Sequence, residues 1–437
     1  IFFVWLTFQS TFSLGHYPMT WIELLVEKIG LLVSSYMTDG MLKDLIIDGI
    51  FGGVGGVIVF LPNILILFFF ISLMEDTGYM ARVAFIMDKL MHKIGLHGKS
   101  FIPLLMGFGC NVPAIMSTRT LENRNDRLLT MLINPFMSCS ARLPVYLVII
   151  GAFFPNYAGT VLFSIYGIGI LIAITMAIIF KKTIFKNAEV PFVMELPPYR
   201  IPTFRSTSKH MWNKGSQYLK KMGGVILIAS VIIWALGYFP LNQDLAQSYN
   251  VQILQIENNY DQKEKVITNE LELNKLEAEK DNLIKIVEEE KVADLQANTY
   301  IGKIGRFVQP VMQPIGFDWK MSVAILTGVA AKEIVISTMA VLYQVGDDTG
   351  ASTTSLQQKL QNEKYESGDK KGQKVFNPVV ALSFLLFVLI YFPCIAVIAA
   401  IKKEAGSWKW ALFSMGYTTL LAWIIAFIVY RIGILFL

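Results

Sequence analysis

The run F-I-P-L-L-M-G-F-G-C-N-V-P-A-I-M, residues Phe101–Met116, decides how the chain is read. It is apolar enough for a membrane interior, yet it is shorter than the roughly 20 residues a helix needs to cross a bilayer. Pro103, Gly107, Gly109 and Pro113 interrupt it. Breakers at that density strand backbone N–H and C=O groups, which lipid does not tolerate unless protein or a water-filled cavity surrounds them. The expected form is a re-entrant hairpin that enters and leaves on one side.

The sequence around it is that of a lipid-embedded protein. Hydrophobic residues make up 54% of the 437, charged residues only 16%, and the mean hydropathy is +0.51, which excludes an ordinary soluble enzyme. Apolar runs at Ile50–Leu73, Leu132–Phe154, Val161–Phe180, Val225–Phe239, Val379–Ile401 and Ala411–Tyr430 read as spans. Ile1–Leu14 reads as the remainder of another span whose upstream part lies before Ile1. Apolar runs this numerous are neither a signal peptide nor a lone anchor. A net charge of +5 without aromatic and basic interleaving points away from nucleic acid and leaves the bilayer as the partner.

Charge placement orients the spans. Lys181–Lys221 carries nine Lys and Arg residues and is expected in the cytoplasm, as is the loop with Lys402, Lys403 and Lys409. Leu241–Asn298 is acidic, with Glu288, Glu289 and Glu290 at its core, and fits the outside as a solvated insert. Its Leu273, Leu276, Leu283 and Val287 are spaced as in a helical hairpin or short coiled coil. Ser117–Arg127 and Glu75–Lys99 then fall in the cytoplasm, and the C-terminus outside. Phe101–Met116 dips from the inner face, and Met321–Tyr343 from the outer, between the acidic insert and the outer loop Gln344–Asn377.

The two dips are related in sequence. Met91, Ile94, Gly95, Lys99, Leu105 and Gly107 recur as Met312, Ile315, Gly316, Lys320, Leu326 and Gly328 at a constant offset. An odd number of crossings separates the copies, so they are expected to be inverted, with substrate sites at their interface near the midplane. The expected fold is an all-α integral membrane protein of about seven spans, built as an inverted-topology repeat of two gate regions, each with a re-entrant hairpin. Residues 1–50 hold a first span and an outer amphipathic segment, 51–180 the first gate and 181–221 the basic connector. Residues 222–437 form the second gate, interrupted by the outer inserts 241–298 and 344–377.

All three cysteines lie in apolar segments beside prolines: Cys110 in C-N-V-P, Cys139 in P-F-M-S-C-S-A-R-L-P and Cys394 in Y-F-P-C. Thiolates suit late first-row metals, although a free cysteine equally packs as a small hydrophobe. No C-x-x-C spacing is present. Lys332 and Glu333 sit inside the second dip, where a charge costs roughly 2.5–3.5 kcal/mol at a helix centre. They either serve transport, or pair with each other or sit at a water-exposed hairpin tip without a ligand. Arg142 shares a segment with Cys139, Ser138 and Ser140; it would repel a cation and is read as fixing hydroxyls or backbone carbonyls. Glu75 and Asp76 end the Ile50–Leu73 span as exit ligands or as a solvated helix end. The methionines around the first dip read mainly as adaptable core. The four histidines lie in loop or interfacial stretches, and Gly95–Ser100 imitates a phosphate loop but has two residues between its glycines where the motif needs four.

The runs L-L-M-G-F-G-C-N-V-P-A-I-M-S-T-R-T-L-E-N-R at Leu104–Arg124 and P-F-M-S-C-S-A-R-L-P-V-Y at Pro135–Tyr146 closely resemble the membrane domain of the bacterial ferrous iron transport protein B family. M-E-D-T-G-Y-M-A-R at Met74–Arg82, F-V-M-E-L-P-P-Y-R at Phe192–Arg200, A-A-K-E at Ala330–Glu333 and F-P-C at Phe392–Cys394 extend the likeness. The resemblance implies two gates of nucleoside-transporter-like type carrying Fe²⁺ inward across a bacterial inner membrane. It implies a GTP-binding domain, with its GTP and Mg²⁺, upstream of Ile1, so that this chain is a transporter domain and not itself an enzyme. A small cytoplasmic accessory protein and a homo-oligomer are further expected partners. Carried onto these residues, the metal path takes Cys110, Cys139, Cys394 and Glu333. Asn111, Pro113, Ser138, Ser140, Arg142, Pro144, Lys332 and Pro393 line or gate it, and Glu75 and Asp76 stand at its exit. The rival reading is a cation-coupled nucleoside-type transporter that binds a polar solute through Asn111, Ser138, Ser140, Lys332 and Glu333. An intramembrane enzyme using Cys139 or Glu333 has no histidine placed as base.

Overall fold

Proline and glycine cut the apolar runs into helices of very unequal length. The computed structural model describes residues 61–186, 202–240, 242–264, 297–343, 352–363 and 373–436, with parts of 17–47 and 276–295. Through the first half run α1 (Leu61–Asp76), α2 (Tyr79–Lys93), α3 (Phe101–Gly107), α4 (Asn111–Ser117), α5 (Arg124–Ile133), α6 (Leu143–Phe153) and α7 (Ala158–Thr183). The second half holds α8 (Phe204–Tyr238), α9 (Gln243–Glu264), α10 (Tyr300–Met312), α11 (Trp319–Thr327), α12 (Ile334–Leu342), α13 (Ser352–Asn362), α14 (Pro378–Ile390), α15 (Ile395–Ala405) and α16 (Trp408–Ile434).

Among the described residues four stretches are long and apolar enough to cross a membrane: Arg124–Phe153, Pro155–Thr183, Pro378–Ala405 and Trp408–Ile434. Two of them differ from the uninterrupted spans expected over Leu132–Phe154 and Val379–Ile401. The first begins earlier, where the Asn123 side chain accepts from Asn125 N–H and caps α5. It then breaks into two 3₁₀ turns, Asn134–Phe136 and Ser140–Arg142, before α6 resumes. The second unwinds between Ile390 and Ile395. Pro135, Pro144 and Pro393 lack the N–H that a continuous helix needs. Glu75–Lys99, expected as a connection, contains α2, an amphipathic helix that buries Ala84 and Met91 and exposes Phe85 and Ile86. Ile1–Leu14, residues 50–60, the 192–200 run and Leu273 lie outside the described residues.

Pro378–Ala405 is the central element. Of its most apolar stretch 78% is buried within the protein, against 22% for Pro155–Thr183 and for Trp408–Ile434. Those outer spans turn a narrow stripe of mostly small residues inward: Ile165, Gly169, Ala173 and Ala177 on α7, and Ala411, Ser414, Thr418, Ala422 and Ala426 on α16. Lipid gives no hydrophobic drive for helices to associate, so close approach over small residues supplies the packing. Large side chains such as Phe163, Leu171, Leu420 and Ile428 face outward.

In each half, two short helices fold back on one another: α3 against α4, and α11 against α12. A seven-residue helix is about 10 Å long, far short of a membrane core. The repeat seen in the sequence has matching geometry. Gly95 and Gly316 both adopt left-handed φ, +80° and +85°. His97 and Asp318, two residues further on, both cap the next turn by accepting backbone N–H bonds, from Lys99 and Met321. Lys99 and Lys320 then pair with Glu122 and Glu363 at 3.1 and 2.6 Å. Helix α13 packs on α6, and Gln361 donates to the Ala152 carbonyl.

The His97 cap carries a pH dependence. Its Nδ1 accepts from Lys99 N–H at 3.0 Å, which requires an unprotonated nitrogen, and burial holds the imidazole below its ordinary 6.5. A pKa lowered by folding gives stability that is present above the unfolded value and lost as pH falls below it. Thermal stability in detergent is therefore expected to drop between about pH 7 and pH 5. His97→Asn, which keeps an acceptor without titrating, should flatten that slope; an unchanged slope refutes the assignment.

Candidate functional site

The four residues expected as metal ligands each stand at the start of a helix. Cys110 is the N-cap of α4, Cys139 precedes the Ser140–Arg142 turn into α6, Cys394 is the N-cap of α15, and Glu333 immediately precedes α12. The local cause is the same in each case: a glycine or proline ends one helical segment and the chain restarts within a few residues. All four are half-buried, while the residues around them, including Asn111, Ser138 and Lys332, are sealed. The cysteines are free thiols. Cys110 lies within electrostatic range of Cys139, Cys394 and Glu333, and Cys394 within range of Cys139 and Glu333. Among the described residues no three His, Cys, Asp or Glu side chains converge closely enough to hold a metal ion. The four side chains are neighbours that do not form a closed cage.

Each break is pinned by the hairpin of its own gate. Ser140 donates its N–H at 3.2 Å and its hydroxyl at 3.0 Å to the Gly109 carbonyl, in the turn between α3 and α4. In the second gate the Ile395 N–H donates to the Val329 carbonyl at 2.8 Å, in the turn between α11 and α12. Ser140 follows Cys139, and Ile395 follows Cys394, so equivalent backbone bonds tie down the residue after each cysteine. Buried cations hold carbonyls in the unwound stretches: Arg142 Nη1 donates to Pro135 O at 3.0 Å, and Lys332 Nζ to Phe392 O at 2.8 Å. Among the described residues neither cation has a carboxylate within ion-pair distance, so Lys332 and Glu333 do not pair. Pro113 is buried in the first turn of α4, Pro393 is buried within the second break, and Pro144 opens α6.

Second arms cross between gates, α4 packing on α15 and α12 on α6. On the side read as cytoplasmic, Arg119 makes a two-pronged ion pair with Glu404 at the end of α15, and Arg127 Nη2 donates to the Glu404 carbonyl at 3.2 Å. Asp76 accepts from Thr207 Oγ1 at 3.4 Å, joining α1 to α8; the Glu75 side chain is outside the described residues. Met74, Met91, Met106, Met131 and Met137 are core residues. Three buried polar residues escaped the sequence reading. Tyr146 shares a 3.0 Å hydrogen bond with Ser138. Asn134 is fully buried with both ends of its amide unpartnered, and Tyr391 is fully buried with an unpartnered hydroxyl. An Asn-Pro pair inside an apolar run was the available signal for Asn134.

Two segments of this chain, 57–153 and 219–408, match the family described as Gate: Nucleoside recognition, and residues 162–214 match Ferrous iron transport protein B C terminus. Two gates with broken helices between long apolar spans define a multi-pass membrane protein of the gate class. The chain is 56% identical over 437 residues to the "Fe(2+) transport protein A/Fe(2+) transporter FeoB fusion protein" of Porphyromonas gingivalis, covering 100% of this chain and 50% of that protein. It is 42% identical over 431 residues to the Fe(2+) transporter FeoB of Campylobacter jejuni, covering 98% of this chain and 62% of the relative. The chain belongs to the ferrous iron transport protein B family, as its membrane portion, and spans about half to two thirds of the length of these relatives. No solved structure matches it.

Proposed function

We propose that this chain forms the path by which Fe²⁺ crosses a bacterial inner membrane into the cytoplasm, with Cys110, Cys139, Cys394 and Glu333 as successive ligands at its midplane. The observation that carries the reading is that four helix starts, each bearing one of these residues, belong to the elements through which the two gates pack on one another. A conducted ion must bind well enough to enter and weakly enough to leave, and separate stations serve that better than a closed cage. Fe²⁺ lies below Cu²⁺ and Zn²⁺ in intrinsic site affinity, so selectivity rests on geometry and on the metal available.

The topology that fits is an inverted repeat with two re-entrant hairpins. The glycines, capping side chains and paired lysines at one constant offset support it, as does the exchange of α4 and α12 between gates. Asn111, Ser138, Ser140, Pro113, Pro144 and Pro393 shape the path, and Asp76 with Glu75 lies at its inner end. A GTP-binding domain upstream regulates transport. The fusion named for the Porphyromonas relative favours an accessory protein of the transport protein A type.

The test is Fe²⁺ uptake into proteoliposomes under anoxic, reducing conditions by the full-length protein. Cys110→Ser and Cys139→Ser are each expected to cut uptake by about tenfold or more, the range for losing one soft ligand's orientation or bond. Uptake that survives both substitutions removes the thiols from the path. The second reading, a polar organic solute, draws on the Gate match and on the unpartnered buried amides of Asn111 and Asn134. Nucleoside uptake indifferent to the cysteines would favour it.

A further inference from the structure

We infer that Lys332 is a positioning residue that fixes where Cys394 stands, acting through the backbone of the unwound Tyr391–Cys394 segment and not by touching the cargo. The inference rests on the reading that Cys394 belongs to the path. Helix α14 ends at Ile390 and α15 restarts at Ile395, so the Phe392 carbonyl falls between them without a helical partner. Buried carbonyls without partners are costly, and the Phe392 carbonyl, one bond before Pro393, is met by the Lys332 ammonium at 2.8 Å. The same ammonium lies 3.2 Å from the centre of the Tyr391 ring and 5.0 Å from that of Phe392. One charged group therefore grips two consecutive residues of the break, by a charge-assisted hydrogen bond and by cation–π contact.

Lys332 is only 2% exposed, and its donors point into the segment it holds. A buried ammonium beside a cation path would otherwise oppose metal entry; its placement is explained by what it fastens. The Ile395 N–H bond to Val329 O ties the other side of Cys394 to the same turn. Cys394 is thus held between two attachments, one on each side, and both anchors come from residues 329–332. Lys332 is the side-chain half of that clamp.

The experiment uses the full-length protein in proteoliposomes, with Cys394 as the single cysteine of this region (Cys110→Ala and Cys139→Ala), and reads its alkylation by N-ethylmaleimide. Lys332→Met should change the Cys394 alkylation rate by about tenfold, the population shift that losing one charge-assisted hydrogen bond produces. Lys332→Arg, which retains a cationic donor, should stay near the parent rate. In the matching background where Cys110 alone is kept, Lys332→Met should leave its rate unchanged. If Lys332→Met cannot be recovered folded, Lys332→Gln, with an N–H donor on a shorter stem, carries the same comparison. A Cys394 rate unaffected by loss of the ammonium overturns the inference, and so does an equal change at Cys110, which marks general loosening. Should Cys394→Ser transport Fe²⁺ normally while the alkylation result holds, the path assignment of Cys394 fails and the positioning by Lys332 stands.

Discussion

Gly107→Val and Gly328→Val are each expected to destroy the folded gates, and even the alanine variants to destabilise them measurably. Neither glycine is kept for backbone freedom; both are places of closest approach between a hairpin and the break it pins. A Cβ on Gly107 would overlap Asn134 Oδ1 and lie 2.8 Å from Met137 Cβ. One on Gly328 would fall 2.5 Å from both the Tyr391 hydroxyl and Val335 Cγ2, and 3.2 Å from the Ile325 carbonyl. The two positions are equivalent in the repeat, so each gate brings its break against a glycine at the same register. Overpacking one methyl group in a sealed core costs about 1–3 kcal/mol. A valine adds two further methyls at sites whose neighbours are themselves locked, which approaches a typical total stability of roughly 5–15 kcal/mol. Gly416→Ala provides the contrast: nothing lies within 4 Å of its Cβ, and a helical Gly→Ala change there should be neutral or stabilising by up to about 1 kcal/mol. Melting curves in detergent by intrinsic fluorescence distinguish the cases. A Gly107→Val protein that melts with the parent would mean the hairpin and the break separate freely.

Why those glycines lay within reach of a sequence reading, and other features did not, follows from range. Phe101–Met116 announced its hairpin because proline and glycine act locally, on the residue's own turn. Gly95 and Gly316 stood out for the same reason: both take left-handed φ. The cysteines stood out because each is adjacent to such a break. Apolar content, however, could not show that Leu132–Phe154 is interrupted over Asn134–Arg142, since a broken segment sealed inside protein stays as hydrophobic as a continuous one. Nor could spacing reveal that Lys332 reaches Phe392, or that Arg119 reaches Glu404; those partners meet only after the gates have packed. Lys332 and Glu333, adjacent in sequence, invited an ion pair, and the fold uses the lysine on a carbonyl instead. α13 was missed because its polar helix is held by contact with α6 and not by an apolar stripe of its own.

Arg142→Ala is expected to be as damaging as the glycine variants, for the opposite reason. Arg142 is among the largest fully buried side chains, 1% exposed, and deleting it opens a cavity worth about 3–5 kcal/mol by analogy with large core truncations. It also strips the Pro135 carbonyl of its partner, adding about 1–3 kcal/mol for an unsatisfied buried group. Arg142→Met separates volume from charge. Replacing a buried charge by a well-packed apolar side chain is often neutral or stabilising, and Arg142 Nε already lacks a partner, so the methionine variant should melt well above the alanine one. The decisive quantity is Fe²⁺ uptake by that stable methionine variant at matched protein levels. If uptake falls although the fold survives, the guanidinium is retained for what it does to the Pro135–Cys139 break and the thiol at its end. If uptake equals the parent's, Arg142 fills space, and the first break needs no cation to present Cys139. The second gate would then differ from the first in depending on Lys332.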